Sequence, residues 1–495
     1  MKKIFILIGI LTLTWGCNDD SLTDLNTDTK NPSSGVPSGA LLGNAEKNLF
    51  DHMTSTNVNI NVFRLFAQHW SETTYLDESN YDILQRNVPD THWQALYRDI
   101  LRDLKEATTL TEAEETVTSA EEIVKTNKLA IIEVLNVYAY SVLVDTFGDI
   151  PYTEALQPDD HPNPKYDDAK TVYADLFKRL DAAIANLNTS GKSFGASDFI
   201  YAGDVAQWKK FANSLKLRLA ITVADEPTLA ATAKTAAEQA VAGGIIASTA
   251  DNATLQYKST QPNTNPLYED LVTSGRYDFV AAAPLVTKMN TLNDPRRPNY
   301  YIQVDGAFVG APYAQGVDFE SYSSAGDPAD PEGDHTRLLD PTLEGLLIDY
   351  TEVQFYLAEA VERGFAVGGT AAEHYNNAIR SSIVYWGGTD AEADLYLLQP
   401  TVAYATATGT WKQKIGEQAW IGYYNRGYEA WTTWRRLDFP ALVAPSTAVP
   451  ASEGQIPKRF TYPVLEQTLN KTNYQAAGTA VGGDRLKTKL FWDKF

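Results

Sequence analysis

Eight stretches of this chain carry apolar residues at i, i+3, i+4 and i+7: residues 40–50, 93–107, 123–146, 168–187, 206–224, 228–242, 350–361 and 371–383. On a 3.6-residue helix those positions share one face, and each such stripe must be buried against another element. The stripes come largely in pairs across polar connections, as in 168–187 with 206–224 and 350–361 with 371–383, which predicts antiparallel helical hairpins. Residues 350–380 add Ala358, Ala360, Gly364, Ala371, Tyr375 and Ala378, the small and aromatic positions that tetratricopeptide-type hairpins use where helices approach closely. No strict period of about 34 residues runs through the chain, so a mostly α domain with degenerate tetratricopeptide-like hairpins is expected rather than a regular solenoid.

The N-terminus reads differently. Lys2-Lys3, an apolar run over 4–13, and Thr14-Trp15-Gly16 before Cys17 make a lipoprotein signal peptide. The run falls short of the roughly 20 residues a spanning helix needs, and no second apolar stretch is expected to reach that length. Cleavage before Cys17 and lipid on its sulfur are therefore expected, with 1–16 as signal peptide, 17–39 as lipidated tether and 40–495 as one domain. Cys17 is the single cysteine, so disulfides are excluded and a large core must hold the body together. A formal net charge of −22 makes nucleic acid a poor partner.

Between 247 and 341 the helical stripes give way to Asn, Pro, Gly, Asp and Tyr, a long loop-rich insertion with few short strands; loops of this length in a compact domain commonly carry function.

Several motifs then converge. Phe63 through Trp70 with Tyr75, and Trp93-Gln94-Ala95-Leu96-Tyr97, form one block; Asp145-Thr146-Phe147-Gly148-Asp149-Ile150-Pro151-Tyr152-Thr153-Glu154-Ala155 forms a second. Asp294-Pro295-Arg296, Gly310-Ala311-Pro312-Tyr313, Glu352 to Glu359, 375–380, Gly427-Tyr428-Glu429-Ala430-Trp431 and Arg435-Arg436-Leu437 follow in order, closing with Pro457 to Pro463, Asn470 and Tyr474. Over nearly its whole length the chain resembles the SusD/RagB outer-membrane nutrient-binding lipoproteins of Bacteroidota. That resemblance implies a mostly α-helical scaffold with a loop-rich ligand face, non-catalytic capture of a glycan or oligosaccharide, and a TonB-dependent transporter of the SusC type as partner. Asn18-Asp19-Asp20 is similar to the family's surface-export signal, which implies an anchor in the outer membrane facing the exterior. Peptide capture for the same transporter type, or a purely structural role, are the alternatives.

Sugar binding lays an apolar pyranose face on an aromatic ring while polar neighbours bond the hydroxyls. The candidate ligand-binding residues are the loop tyrosines Tyr75, Tyr81, Tyr300, Tyr301, Tyr313 and Tyr322, with Asn80, Gln85 and Arg86 beside them; each ring has a competing reading as a packing residue. Trp70, Trp93, Trp420, Trp431 and Trp434 fall at helical spacing and are expected in the core, and Trp386 stands open. Asp318, Asp327, Asp330 and Asp334 share one loop and could offer oxygen ligands to calcium, a minor reading beside that of a solvated loop, and their spacing is not that of an EF-hand. No other cofactor is expected.

No catalytic constellation emerges. The six histidines show no HExxH spacing. Gly191-Lys192-Ser193-Phe194-Gly195 spells GxSxG, but a nucleophile elbow requires a strand-to-helix turn, and the segment lies between two predicted helices. Asn186 stands where a phosphate loop needs its first glycine.

Overall fold

A computed structural model describes residues 35–330 and 333–495; Cys17, the signal peptide and most of the tether lie outside them. All eight periodic stretches are helical. They correspond to α1 (Ser38–Thr54), α2 (Val88–Gln94) continuing through a π-helical turn Ala95–Leu101 into α3 (Arg102–Glu112), α4 (Ser119–Phe147), α5 (Ala169–Asn186), α6 (Val205–Thr222), α7 (Ala230–Gly243), and, after the loop-rich stretch, α9 (Tyr350–Glu362) and α10 (Ala371–Tyr385). The periodicity did not mark α8 (Ala283–Thr291), which lies inside that stretch, nor α11 (Asp390–Leu397) and α14 (Lys471–Ala480). It did pick out the tryptophan spacing of α12 (Trp411–Gly422) and α13 (Gly427–Leu437).

The central element is α4. Its start is set by a capping box, the Thr118 hydroxyl accepting from the Glu121 N–H while the Glu121 carboxylate takes the Thr118 N–H at 2.8 Å. Gly148, at φ +89°, ends it. By length and composition α4 could cross a bilayer, contrary to the expectation of no second such stretch; 89% of its most apolar window is buried inside the protein, and it is the core helix.

Neighbouring helices pack as hairpins, α4 with α5, α6 with α7, α9 with α10, and α12 with α13. The pairing of 168–187 with 206–224 exists, yet α5 lies mainly on α4 and α6 mainly on α7, so the hairpins are offset by one helix from that reading. Hydrophobic residues bury in two clusters. One surrounds α4 to α7, the other Tyr300, Trp386, Trp420 and Tyr424. Trp70, Trp386, Trp420, Trp431 and Trp434 are buried, and Trp93 is half-buried against Tyr97 and Phe147.

Charges inside this scaffold are matched. Glu352 receives the Arg218 guanidinium at 2.6 and 2.8 Å and also meets Arg426, which reaches Asp349 at 2.8 Å. Arg435 lies 3.3 Å from the centroid of the Trp431 ring and donates to the Asp145 carbonyl at 2.7 Å. Arg459 donates twice to the Phe147 carbonyl, at 3.0 and 2.8 Å, which satisfies the last turn of α4, and meets Asp484 at 2.6 Å. Burial of such groups is tolerable only because each has a partner. At Gly427 a β-carbon would come within 2.4 Å of the Arg64 backbone nitrogen, so α13 can begin this close to the short helix Phe63–Phe66 only with glycine there.

Strands are few and short. β1 (Trp70–Glu72) pairs antiparallel with β5 (Phe279–Ala281) in the register Trp70↔Ala281 and Glu72↔Phe279. β2 (Ile150–Pro151) pairs with β3 (Tyr166–Asp167), and β4 (Thr254–Leu255) with β6 (Gly345–Leu346). The β1–β5 ribbon carries the candidate site.

Candidate functional site

Leaving β1, the chain turns sharply at Thr73-Thr74-Tyr75. Thr73 is held three ways: its N–H donates to the Asp278 carbonyl at 2.9 Å, its hydroxyl to the Tyr277 carbonyl at 2.5 Å, and its carbonyl accepts from Val317 at 3.0 Å. Tyr75 follows at φ +53°, left-handed backbone that a side-chain-bearing residue disfavours, and its ring is 68% exposed. The ring stands at a cleft of about 290 Å³ walled by Asn57, Asn59, Glu72, Thr74, Arg86 and Arg276, among others.

The polar groups around that ring are preset. The Arg276 guanidinium sits 5.6 Å from the Tyr75 ring centroid and is itself forked onto Asp278, one contact being 3.0 Å. Asn57 Oδ1 accepts from both the backbone and the side-chain amide of Asn59, at 3.0 and 2.8 Å. Beside the cleft, the exposed Tyr277 donates to Asp327 at 2.9 Å and meets the Phe319 ring edge-on at 4.9 Å.

Two buried carboxyls, Glu72 and Glu78, flank the Tyr75 turn in sequence. Glu72 is buried and accepts the Ser79 N–H at 2.8 Å; Glu78 is buried beside Arg86. Burial, followed by the neighbouring Glu78, pushes the Glu72 carboxyl up to about 8, and burial also raises Glu78. Of the two, only Glu72 lines the cleft.

The loop tyrosines part company here. Tyr75 alone of the six offers an open ring. Tyr81, Tyr300 and Tyr301 are buried and cannot contact a ligand as expected from the sequence. Tyr300 stacks on Tyr424 with centroids 3.9 Å apart and donates to the Ile421 carbonyl at 3.0 Å, and Tyr301 packs edge-on against the same ring. They turn inward because the Asp294–Arg296 ion pair ahead of them is itself buried, bonded at 3.1 Å to both Ser382 and Gln418. Tyr81 packs edge-on against Phe66. Tyr313 is half-buried, with its hydroxyl donating to the Leu65 carbonyl at 2.7 Å, and Tyr322 is half-buried outside the cleft wall.

Of the expected polar neighbours, Arg86 lines the cleft, Asn80 is tied to the Leu76 carbonyl at 2.8 Å, and Gln85 is exposed outside the lining. Arg276 and Tyr277 went unmarked: only the antiparallel pairing of β5 with β1 brings them beside Tyr75, and no local pattern announces a three-residue ribbon.

The other motifs find structural roles or none. Ser193 of the GxSxG segment donates to the Gly203 carbonyl at 2.9 Å, between a turn and a short 3₁₀ helix, with no strand before it. Asp327 and Asp318 bond to Tyr277 and Ser321 respectively, and among the described residues no three His, Cys, Asp or Glu side chains converge to hold an ion.

Residues 30–463 match the SusD-like family described as starch-binding, associating with the outer membrane. Among solved structures, a chitin-binding protein superposes with a TM-score of 0.78 at 25% identity, covering 92% of this chain and 100% of its own. A SusD homologue from Bacteroides uniformis ATCC 8492 gives 0.76 at 27%, covering 92% and 99%. A chitin-binding SusD homologue from Flavobacterium johnsoniae shares the fold, at 0.75 and 22%, covering 92% and 98%. No curated protein matches the chain.

Proposed function

The chain belongs to the SusD-like family, and on that footing we propose that it binds a glycan or oligosaccharide without catalysis and passes it to a SusC-type TonB-dependent transporter. Lipid on Cys17 would hold it in the outer membrane, facing outward. The observation that carries the reading is Tyr75, a ring held out in water on disfavoured backbone, with hydroxyls, amides and a fixed guanidinium around it. Such a ring offers the apolar platform a pyranose face needs, and the neighbours suit its hydroxyls. Two of the similar solved proteins are named as chitin-binding, which makes chitin-derived chains the first ligands to try.

Affinity electrophoresis against a panel of soluble polysaccharides, with peptide titrations by calorimetry alongside, tests the reading. At least one glycan should retard the protein, and Tyr75→Ala should weaken that binding about tenfold, equivalent to ~1.4 kcal/mol. Binding of peptides alone would favour the peptide alternative, and binding of neither the structural one. Cys17→Ser should release the protein from membranes in detergent partitioning, and undiminished retention would refute the anchor.

A further inference from the structure

A second cleft, of about 330 Å³, shares Asn57 and Asp270 with the first, and Tyr75 does not line it. Asn57 and Asp270 thus stand between two neighbouring hollows, and a ligand long enough to cross them could occupy both. Each alone lies near the lower end of the roughly 300–1,000 Å³ typical of ligand clefts, and a ligand occupying both would fill a volume well inside that range.

That divide is built before any ligand arrives. Asp270 Oδ2 accepts from the Ser55 hydroxyl and the Thr56 N–H, both at 3.1 Å, and Asn57 is locked to Asn59 as described above. The second cleft is unlike the first. Ile60, Ala95, Pro262 and Pro266 give it aliphatic surface, it has no exposed aromatic ring, and Asp51, Asp99 and Glu269 add carboxylates to its wall. Lys47 contacts Asp51, so the one ammonium in that wall is already engaged.

Resting on the glycan-binding reading above, we propose that the second cleft is a further subsite for the same ligand, which is a linear, uncharged oligosaccharide. One end lies on Tyr75, the chain crosses at Asn57 and Asp270, and the rest lies against Ile60, Ala95 and the prolines. Aliphatic surface and fixed acceptors suit the edge of a polyhydroxyl chain; an anionic chain of uronic acids or sulfated sugars would face Asp51, Asp99 and Glu269 in the second cleft, where the single ammonium is already engaged, while the first cleft balances its carboxyls against Arg86 and Arg276.

Calorimetry with oligomers of two to eight units tests it, using neutral series derived from chitin, starch, cellulose, xylan and mannan and an anionic series derived from polygalacturonate. For one neutral series the affinity should climb at least tenfold from the dimer to longer chains and then level off. Ala95→Trp, which fills the second cleft, should bring long chains down to the dimer's affinity. The length series on the unaltered protein stands by itself should that variant fold poorly. Tyr75-dependent binding that is indifferent to chain length would overturn this subsite and leave the proposed function intact. Preferential binding of polygalacturonate oligomers would overturn the charge argument, and no binding by any series would sink both readings together.

Discussion

Tyr75 keeps its ring in water on a left-handed turn, a conformation that costs an ordinary residue about 1–2 kcal/mol. Glycine would relieve that cost and remove the ring. Tyr75→Gly is therefore expected to raise the denaturant midpoint, by up to about 1 kcal/mol of stability, while abolishing glycan retardation; a loss of stability would show that the ring is packed rather than presented. Tyr301 gives the opposite expectation. As a loop ligand contact its truncation would leave stability nearly untouched, but it is buried against Tyr424, so Tyr301→Ala should cost about 3–5 kcal/mol in urea unfolding. Glu72 ties stability to pH. The fold holds its proton past the pH at which the unfolded chain releases it, so this group's favourable contribution is whole below about 4.5, shrinks as pH rises, and is gone above about 8. Glu72→Gln cannot ionise, and its melting temperature relative to the unaltered protein should rise between pH 5 and about pH 8 and then level off. A constant difference across that range would contradict the raised carboxyl.

At the scale of elements, the residues that carry the family motifs mostly hold helices together rather than touch ligand. Phe147 closes α4 and offers its carbonyl to Arg459; Asp145 accepts from Tyr173 and Trp492; Glu352 anchors α9 to α6 through Arg218. Arg459→Ala would leave Asp484 without its cation, held only by the Tyr462 N–H and the Tyr474 hydroxyl, and the end of α4 unsatisfied, so a loss of about 3 kcal/mol is expected by chemical denaturation, with ligand affinity at the β1–β5 ribbon unchanged once folded. The eight helices of the periodic stretches were legible because each repeats its apolar face over about three turns or more, while their starts are set by capping boxes such as Thr118 with Glu121 and Thr370 with Glu373, which periodicity does not register. A three-residue strand such as β1 is too short to establish any period. That is why α8 and the ribbon beside it were lost in a stretch read as loop.

Across the whole molecule, the scaffold and the site draw on different information. Hairpins are built from contacts close in sequence, so local periodicity and the ordered motifs were enough to place the chain in its fold and family, and the position of its one cysteine raises the expectation of a lipid anchor. The cleft is built from contacts far apart: Asn57 follows α1, Glu72 ends β1 and Tyr75 follows it, and Asp270 and Arg276 come some two hundred residues later. A tyrosine in a polar loop looks the same on paper whether it faces water or the core. Tyr75 and Tyr301 differ only in what the rest of the chain brings against them, Thr73's bonds to the 277–278 backbone pushing one ring out and the buried Asp294–Arg296 pair drawing the other in. The sequence by itself determined most of the long helices, because periodicity is local; only the tertiary structure decided which aromatic ring is available to a ligand, because exposure is set by partners that sequence distance conceals.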